Sequence, residues 1–221
     1  MSGLDLIEVA TGAPARAVFT TRRGGVSTGG FAALDLGMDR DDPDACVREN
    51  RARVCAALGL DPARVALGRQ VHGAGVREVA GPGDGGFLGH LRDWPEGDGL
   101  VTAETGAALV VLGADCLPVV LWRRDRPRVA AAHAGWRGLA GGVLDGVREV
   151  FAGRFGTSVV RREAVDLAAA ARVALVAAGV PDEAIRAVGA CTSCDPERFY
   201  SYRRDGAGTG RQAGLVWAVA G

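Results

Sequence analysis

Few residues in this 221-residue chain are suited to chemistry. It has three histidines, His72, His90 and His133, and five cysteines, Cys46, Cys55, Cys116, Cys191 and Cys194. Two of these fall into a pattern. Cys116 stands in Ala114-Asp115-Cys116-Leu117-Pro118, where an apolar run begins (117–122, LPVVLW). His133 stands in Ala132-His133-Ala134-Gly135-Trp136, where a second run ends (128–132, RVAAA). If the two runs pair as a hairpin about Asp125, facing positions have numbers that sum to about 250. Cys116 and His133 sum to 249. The hairpin therefore sets thiol and imidazole side by side at its open end, and directly opposed strand positions lie ~5 Å apart. A thiol and an imidazole at that distance can share a metal ion or act as nucleophile and base. Pro118 and the glycine that follows His133 shape turns and let a ligand approach the backbone. His72 sits in a Gly-flanked turn, Gln70-Val71-His72-Gly73, and no local geometry brings it to the hairpin. His90, in a Gly-rich loop, reads as a surface residue.

The elements that must position these groups follow from pattern. Residues 17–20 read as a short strand and 22–37 (RRGGVSTGGFAALDLG) as a long loop. Asp42-Pro43-Asp44 opens a helix whose apolar face is Val47, Val54, Leu58 and Leu60, with Gly59 at its end. Two short strands flank 71–75, and 81–99 is a loop by composition. Residues 107–112 (AALVVL) form a buried strand. A helix is expected from Gly138 to Val150. A second runs over 166–178, with Asp166 as N-cap and Gly179 and Pro181 beyond it. The chain from Cys191 on reads as loop-rich. Strands and helices mix without regular βαβ alternation, which favours α+β over a doubly wound sheet.

Length and composition bound the rest. The chain suits a single domain over 1–221 and can bury a core without staples. Net charge is zero, so no global field recruits nucleic acid or an anionic membrane. Lys is absent and all 26 basic residues are Arg, each a potential bidentate partner for phosphate or carboxylate. No targeting signal or membrane-length apolar stretch is present, and the cysteine count is odd. These features imply a cytoplasmic protein with reduced or metal-bound thiols. Cys191-x-x-Cys194 suggests a second zinc or a redox pair, although no second CxxC accompanies it. Gly206-x-Gly208-x-Gly210 follows no strand, which argues against a dinucleotide site.

Several motifs together resemble the family named for bacterial laccase-domain, or polyphenol-oxidase-like, proteins, related to human laccase domain-containing protein. They are Phe-Thr-Thr-Arg-Arg-Gly-Gly-Val-Ser (19–27), Arg-Gln-Val-His-Gly (69–73), Gly-Asp-Gly-Leu-Val-Thr (97–102), Ala-Asp-Cys-Leu-Pro-Val (114–119), Ala-His-Ala-Gly-Trp-Arg-Gly (132–138), Phe-Tyr-Ser-Tyr-Arg-Arg-Asp-Gly (199–206) and Thr-Gly-Arg-Gln (209–212). Their order is the family's, and they span nearly the whole chain. The resemblance implies a β-sandwich of mixed sheets flanked by helices, similar to the catalytic domain of cytotoxic necrotising factor. It implies zinc on His72, Cys116 and His133. It implies purine nucleoside phosphorylase activity on adenosine, inosine, guanosine and methylthioadenosine, with adenosine deaminase activity alongside. One departure stands out: between Leu144 and Val165 the family carries a longer stretch, where this chain has only about twenty residues.

That chemistry assigns roles. Two imidazoles and a thiolate leave the fourth position of a tetrahedral zinc open, as catalytic sites require, and copper could enter the same site. Deamination needs an activated water and a proton shuttle. Asp115, beside the Cys116 ligand, is the candidate, in a catalytic or a purely structural role, with Glu104 behind it. Phosphorolysis needs Arg side chains on phosphate, for which Arg69, Arg137, Arg203 and Arg204 lie in or beside the motifs. Phe19, Trp136, Tyr200 or Tyr202 could stack on the base. A four-copper laccase, which uses roughly ten His ligands, is beyond a chain with three. The stronger rival is a cysteine hydrolase, with Cys116 as nucleophile and His133 as base, acting on an amide such as that of a cell-wall precursor. A non-enzymatic metal-dependent binding module is the third class. Elemental analysis separates the first two. Stoichiometric zinc that disappears in Cys116→Ala is expected, whereas metal-free protein with a low-pKa thiol would support the hydrolase.

Overall fold

The computed structural model describes residues 3–12, 14–38, 41–81, 86–90, 93–151, 155–159 and 166–219. The strands among them are β1 (Leu6–Val9), β2 (Ala15–Thr20), β3 (Val65–Leu67), β4 (Val76–Glu78), β5 (Gly99–Thr102), β6 (Ala108–Gly113), β7 (Leu117–Arg123), β8 (Val129–Ala134), β9 (Phe155–Val159), β10 (Ile185–Ala187) and β11 (Gln212–Ala218). The helices are α1 (Asp44–Leu58), α2 (Trp136–Ala140), α3 (Val143–Phe151), α4 (Leu167–Ala177) and α5 (Tyr202–Asp205).

Two mixed sheets lie face to face. The first has the order β1-β2-β11-β6-β3 and the second β10-β9-β7-β8-β5-β4. Side-chain alternation explains the layering. In β6, Leu109 and Val111 point between the sheets, packing with Phe19, Val216, Val119 and Leu121. Ala108, Val110 and Leu112 point outward, where Val54, Cys55 and Leu58 of α1 cover them. On the far side, Val143, Leu144 and Val147 of α3 and Ala171 and Leu175 of α4 join the same buried cluster as Leu100, Val120 and Ala131. Helices therefore close both outer faces of a β-sandwich, which is the α+β architecture expected. Because each central strand is covered on both faces, β6, β7 and β8 read as continuous apolar runs. Among the described residues, no helix is long and apolar enough to cross a membrane.

The helix expected over Gly138–Val150 is two helices. The chain breaks at Gly141-Gly142, where Gly142 adopts φ 84, and α2 begins earlier, at Trp136. The loop-rich C-terminal segment also contains β11, which pairs with both β2 and β6 at the centre of its sheet. In the shortened stretch after Leu144, β9 pairs with β7 and β10, while residues 152–154 and 160–165 lie outside the described residues.

The long loop 22–37 is not loosely held. Asn50 of α1 is fully buried; its Nδ2 donates to Ser27 Oγ (2.8 Å), Ala33 O (3.2 Å) and Asp35 O (2.9 Å), and its Oδ1 accepts from Val26 N (2.8 Å). Arg51 donates to Leu36 O from Nε (2.9 Å) and Nη2 (2.6 Å). Asp35 in turn accepts from Gly37 N (2.9 Å) and Arg211 N (2.7 Å). One face of α1 thus fixes the loop that reaches the site. Asn50→Ala strips a buried four-bond hub and leaves its partners unsatisfied. Chemical denaturation is expected to show a loss of ~3 kcal/mol, whereas a change within ~0.5 kcal/mol would mean the loop holds itself.

Candidate active site

The β7–β8 hairpin forms as expected, but its register is displaced by two positions from direct opposition of Cys116 and His133. Leu117 faces Ala134 and Pro118 faces His133, so Gly135 is the residue opposite Cys116. Cys116 and His133 are diagonal neighbours on one face. Diagonal positions are ~7–8 Å apart at the backbone and still within reach of longer side chains. The space opposite Cys116 is taken by the absence of a side chain: a Cβ on Gly135 would stand 2.9 Å from Cys116 Sγ and 3.4 Å from His72 Cδ2.

His72 completes the group from a distant turn. The ligating atoms of His72, Cys116 and His133 all lie within 4.8 Å of one another, and the two imidazoles meet edge to face with centroids 4.8 Å apart. His133 is buried, Cys116 half-buried and His72 exposed, so the cluster opens to one side. Two imidazoles, a thiol and an open side suit a three-ligand metal site of the catalytic kind.

The residue that assembles the cluster is Asp98, in the turn before β5, which the sequence reading did not single out. It is fully buried. Its Oδ1 accepts from His72 N (3.0 Å) and contacts His133 Nδ1 (2.7 Å), and its Oδ2 accepts from Val71 N (3.0 Å) and Gly73 N (2.9 Å). His133 N also donates to Asp98 O (2.7 Å). Burial would raise the Asp98 pKa, but the His133 hydrogen bond and the Val71 and Gly73 N–H groups outweigh it and lower the value. An ionised Asp98 makes His133 Nδ1 a donor and leaves Nε2 for the cluster. Without a metal, burial opposes charging His133, yet the Asp98 hydrogen bond and the adjacent Cys116 sulfur raise its pKa to about 9. His72 shifts the other way, lowered by burial first and then by the charge of His133. The signal for Asp98 was present in its motif, an Asp between two glycines just before a buried strand.

Asp115 adopts φ 103, and its carboxylate accepts from Thr192 Oγ1 (2.9 Å), Ser201 Oγ (2.6 Å) and Arg203 N (2.7 Å). Both oxygens are engaged in fastening the C-terminal segment to the residue before Cys116. Glu104, by contrast, is exposed after β5 and does not line the cleft.

The cluster forms the floor of a cleft of about 420 Å³. Around it stand Arg137, Arg203 and Arg211, with Trp136 and Tyr202 at its mouth, 63% and 52% exposed. Arg211 lies in the Thr-Gly-Arg-Gln motif but was not among the expected phosphate ligands. Two that were expected stand elsewhere. Arg69 is drawn off to Glu96 (2.7 Å) on the surface. Arg204 is committed to Asp205 (2.7 and 2.6 Å) and to the carbonyls of Thr192, Ser193 and Phe199. Phe19 and Tyr200 are buried packing residues, Tyr200 donating from its hydroxyl to Phe31 O.

A family model described as "Multi-copper polyphenol oxidoreductase laccase" matches residues 16–164 and 145–219. The two matches overlap within the stretch that is shorter in this chain. A protein of Deinococcus radiodurans named purine nucleoside phosphorylase is 39% identical over 241 residues, covering 92% of this chain and 87% of its own. One of Pseudomonas aeruginosa, likewise named, is 37% identical, covering 93% and 95%. The crystal structure of YlmD from Geobacillus stearothermophilus superposes with a TM-score of 0.87 at 30% identity, covering 94% of this chain and 93% of that one.

An amide at position 98 has one acceptor oxygen where the site uses two, so its NH₂ must face an N–H donor. Asp98→Asn is expected to lower metal affinity at least 10-fold by chelator competition, with a stability loss of ~2–4 kcal/mol. Wild-type affinity in a folded variant would show that Asp98 does not orient the ligands.

Proposed function

We propose that this chain, which belongs to the multi-copper polyphenol oxidoreductase laccase family, is a zinc-dependent purine nucleoside phosphorylase with adenosine deaminase activity on the same cleft. The observation that carries this reading is a His-Cys-His cluster opening into a cleft ringed by arginines and exposed aromatics. The names of its relatives point the same way. The donor set fits zinc, held by His72, Cys116 and His133, with copper able to occupy the same ligands. Bound there, the ion would supply a Lewis acid beside the reacting atoms.

The chain's own residues do the rest. Arg137, Arg203 and Arg211 hold phosphate by charge and by paired N–H donors. Trp136 and Tyr202 flank the purine at the mouth of the cleft, where their exposed faces offer stacking surface. A phosphate oxygen then forms its bond to C1′ as the C1′–N9 bond breaks, and the electron pair departs with the base, which takes up a proton. Asp115 positions, because its oxygens are occupied: it holds Cys116 at one end and the Arg203 backbone at the other. The substrates are adenosine, inosine, guanosine and methylthioadenosine, together with inorganic phosphate.

A second reading has one specific support. Cys116, His133 and Asp98 stand in nucleophile–base–orienter order, as a cysteine hydrolase requires. It predicts activity on an amide without metal.

Incubation with adenosine, with and without phosphate, decides between these. Adenine and ribose 1-phosphate formed only with phosphate are expected, with some inosine from deamination. Absence of phosphate-dependent base release from all four nucleosides would overturn the phosphorylase reading. Arg211→Ala is expected to raise the KM for phosphate about 10-fold or more, while Arg69→Ala leaves it unchanged.

A further inference from the structure

The Cys191-x-x-Cys194 pair is not used by the site chemistry. Its sulfurs lie 3.0 Å apart without being joined, in a turn where Cys194 N donates to Cys191 Sγ (3.3 Å) and Asp195 N to Cys191 O (3.2 Å). Cys194 is exposed and Cys191 half-buried, so a small reagent can reach them. Two thiolates on one tetrahedral zinc, at about 2.3 Å each, stand roughly 3.8 Å apart. The observed separation is shorter, and among the described residues no further His, Cys, Asp or Glu completes a metal group there. A bond of about 2.05 Å needs an approach of only about 1 Å.

The turn also has a mechanical position. Thr192, between the two cysteines, donates from Oγ1 to Asp115 Oδ1 (2.9 Å), next to Cys116 in the chain. Arg204 Nη1 grips Thr192 O (2.8 Å) and Ser193 O (3.2 Å), next to the cleft residue Arg203. The pair therefore brackets Thr192, which links this loop to Asp115 at the back of the cleft.

We propose that Cys191 and Cys194 form a reversible dithiol–disulfide site that braces the loop supporting Asp115. The co-reactant is a low-molecular-weight disulfide such as oxidised glutathione. The thiolate of exposed Cys194 attacks one of its sulfurs, the reagent's S–S bond breaks, and the first thiol departs. Cys191 then attacks the Cys194 sulfur of the mixed disulfide and releases the second thiol. Two electrons pass to the reagent, which leaves as two thiols carrying the two protons. The ring closes within a turn that already holds the sulfurs together, so oxidation stiffens the loop without rebuilding it.

The full-length chain, reduced and then exposed to oxidised glutathione, tests this. Thiol titration under denaturing conditions is expected to fall from five to three, with peptide mass mapping locating a Cys191–Cys194 cross-link. The melting midpoint is expected to rise by about 2–8 °C and to return on reduction. Cys191→Ser should instead keep a glutathione adduct on Cys194 and show no rise. A lasting adduct on the wild-type pair, no reaction, or a cross-link drawing in Cys46, Cys55 or Cys116 would overturn the site. A closed cross-link with an unchanged midpoint would overturn the brace.

Discussion

The buried carboxylate of Asp98 is the contact on which the site depends. It accepts from three consecutive backbone N–H groups at 71–73 and holds His133 at Nδ1, so two histidines sixty-one positions apart share one anchor. A buried charge is costly unless its hydrogen-bonding capacity is met, and here nearly every lone pair has a donor. The same bonds that keep Asp98 ionised fix the His133 tautomer and the path of the His72 turn. Removing the carboxylate would release the His72 turn and the His133 ring at once.

The framework around it makes that anchor rigid. Asp98 lies just before β5, which pairs with β8, the strand that carries His133. The Asp98 backbone accepts from His133 N, so the carboxylate and its histidine are also joined through the sheet. β8 is buried on both faces, by the opposing sheet and by α3. Cys116 immediately precedes β7, the neighbouring strand of the same sheet. His72 and Arg211 come from segments outside the strands and helices, Arg137 from α2 and Arg203 from α5; His72 is tied back by Asp98, Arg203 by Asp115 and Arg211 by Asp35.

What the sequence discloses follows from how local each feature is. The pairing of Cys116 with His133 is legible because a hairpin is a local object with countable positions. Its register is read two positions off, with Gly135 and not His133 opposite Cys116, because the turn geometry about Asp125 is not visible in an apolar run. The convergence of His72 and Asp98 on that hairpin is a matter of tertiary packing, and only resemblance to a family brought His72 in. β11 is hidden for another reason. Gly214 interrupts its apolar pattern, yet a Cβ there would strike Pro118 and Phe19, so the glycine marks close approach of the two sheets and not a loop. The arginines separate on partners that no motif displays: Glu96 takes Arg69 and Asp205 takes Arg204, while Arg211, donating from Nη1 to Thr209 O and Gly210 O, lines the cleft.

Backbone strain is placed where the ligands are. Among the described residues, His72 (φ 62) and Asp115 (φ 103) are the non-glycine residues at positive φ. One is a ligand and the other precedes one. Such conformations cost of order 1–3 kcal/mol each and persist only where the surroundings over-determine them. In both turns the surroundings are a carboxylate: Asp98 receives the N–H groups of the His72 turn, and the side chain of Asp115 itself ties Thr192, Ser201 and the Arg203 backbone. A structural metal site could reach closed coordination with relaxed turns. Here two strained turns are held open by buried or nearly buried acids, and Gly135 keeps the space between Cys116 and His72 clear. That arrangement keeps one side of the cluster accessible from the cleft, which is what a site that must exchange a bound molecule requires.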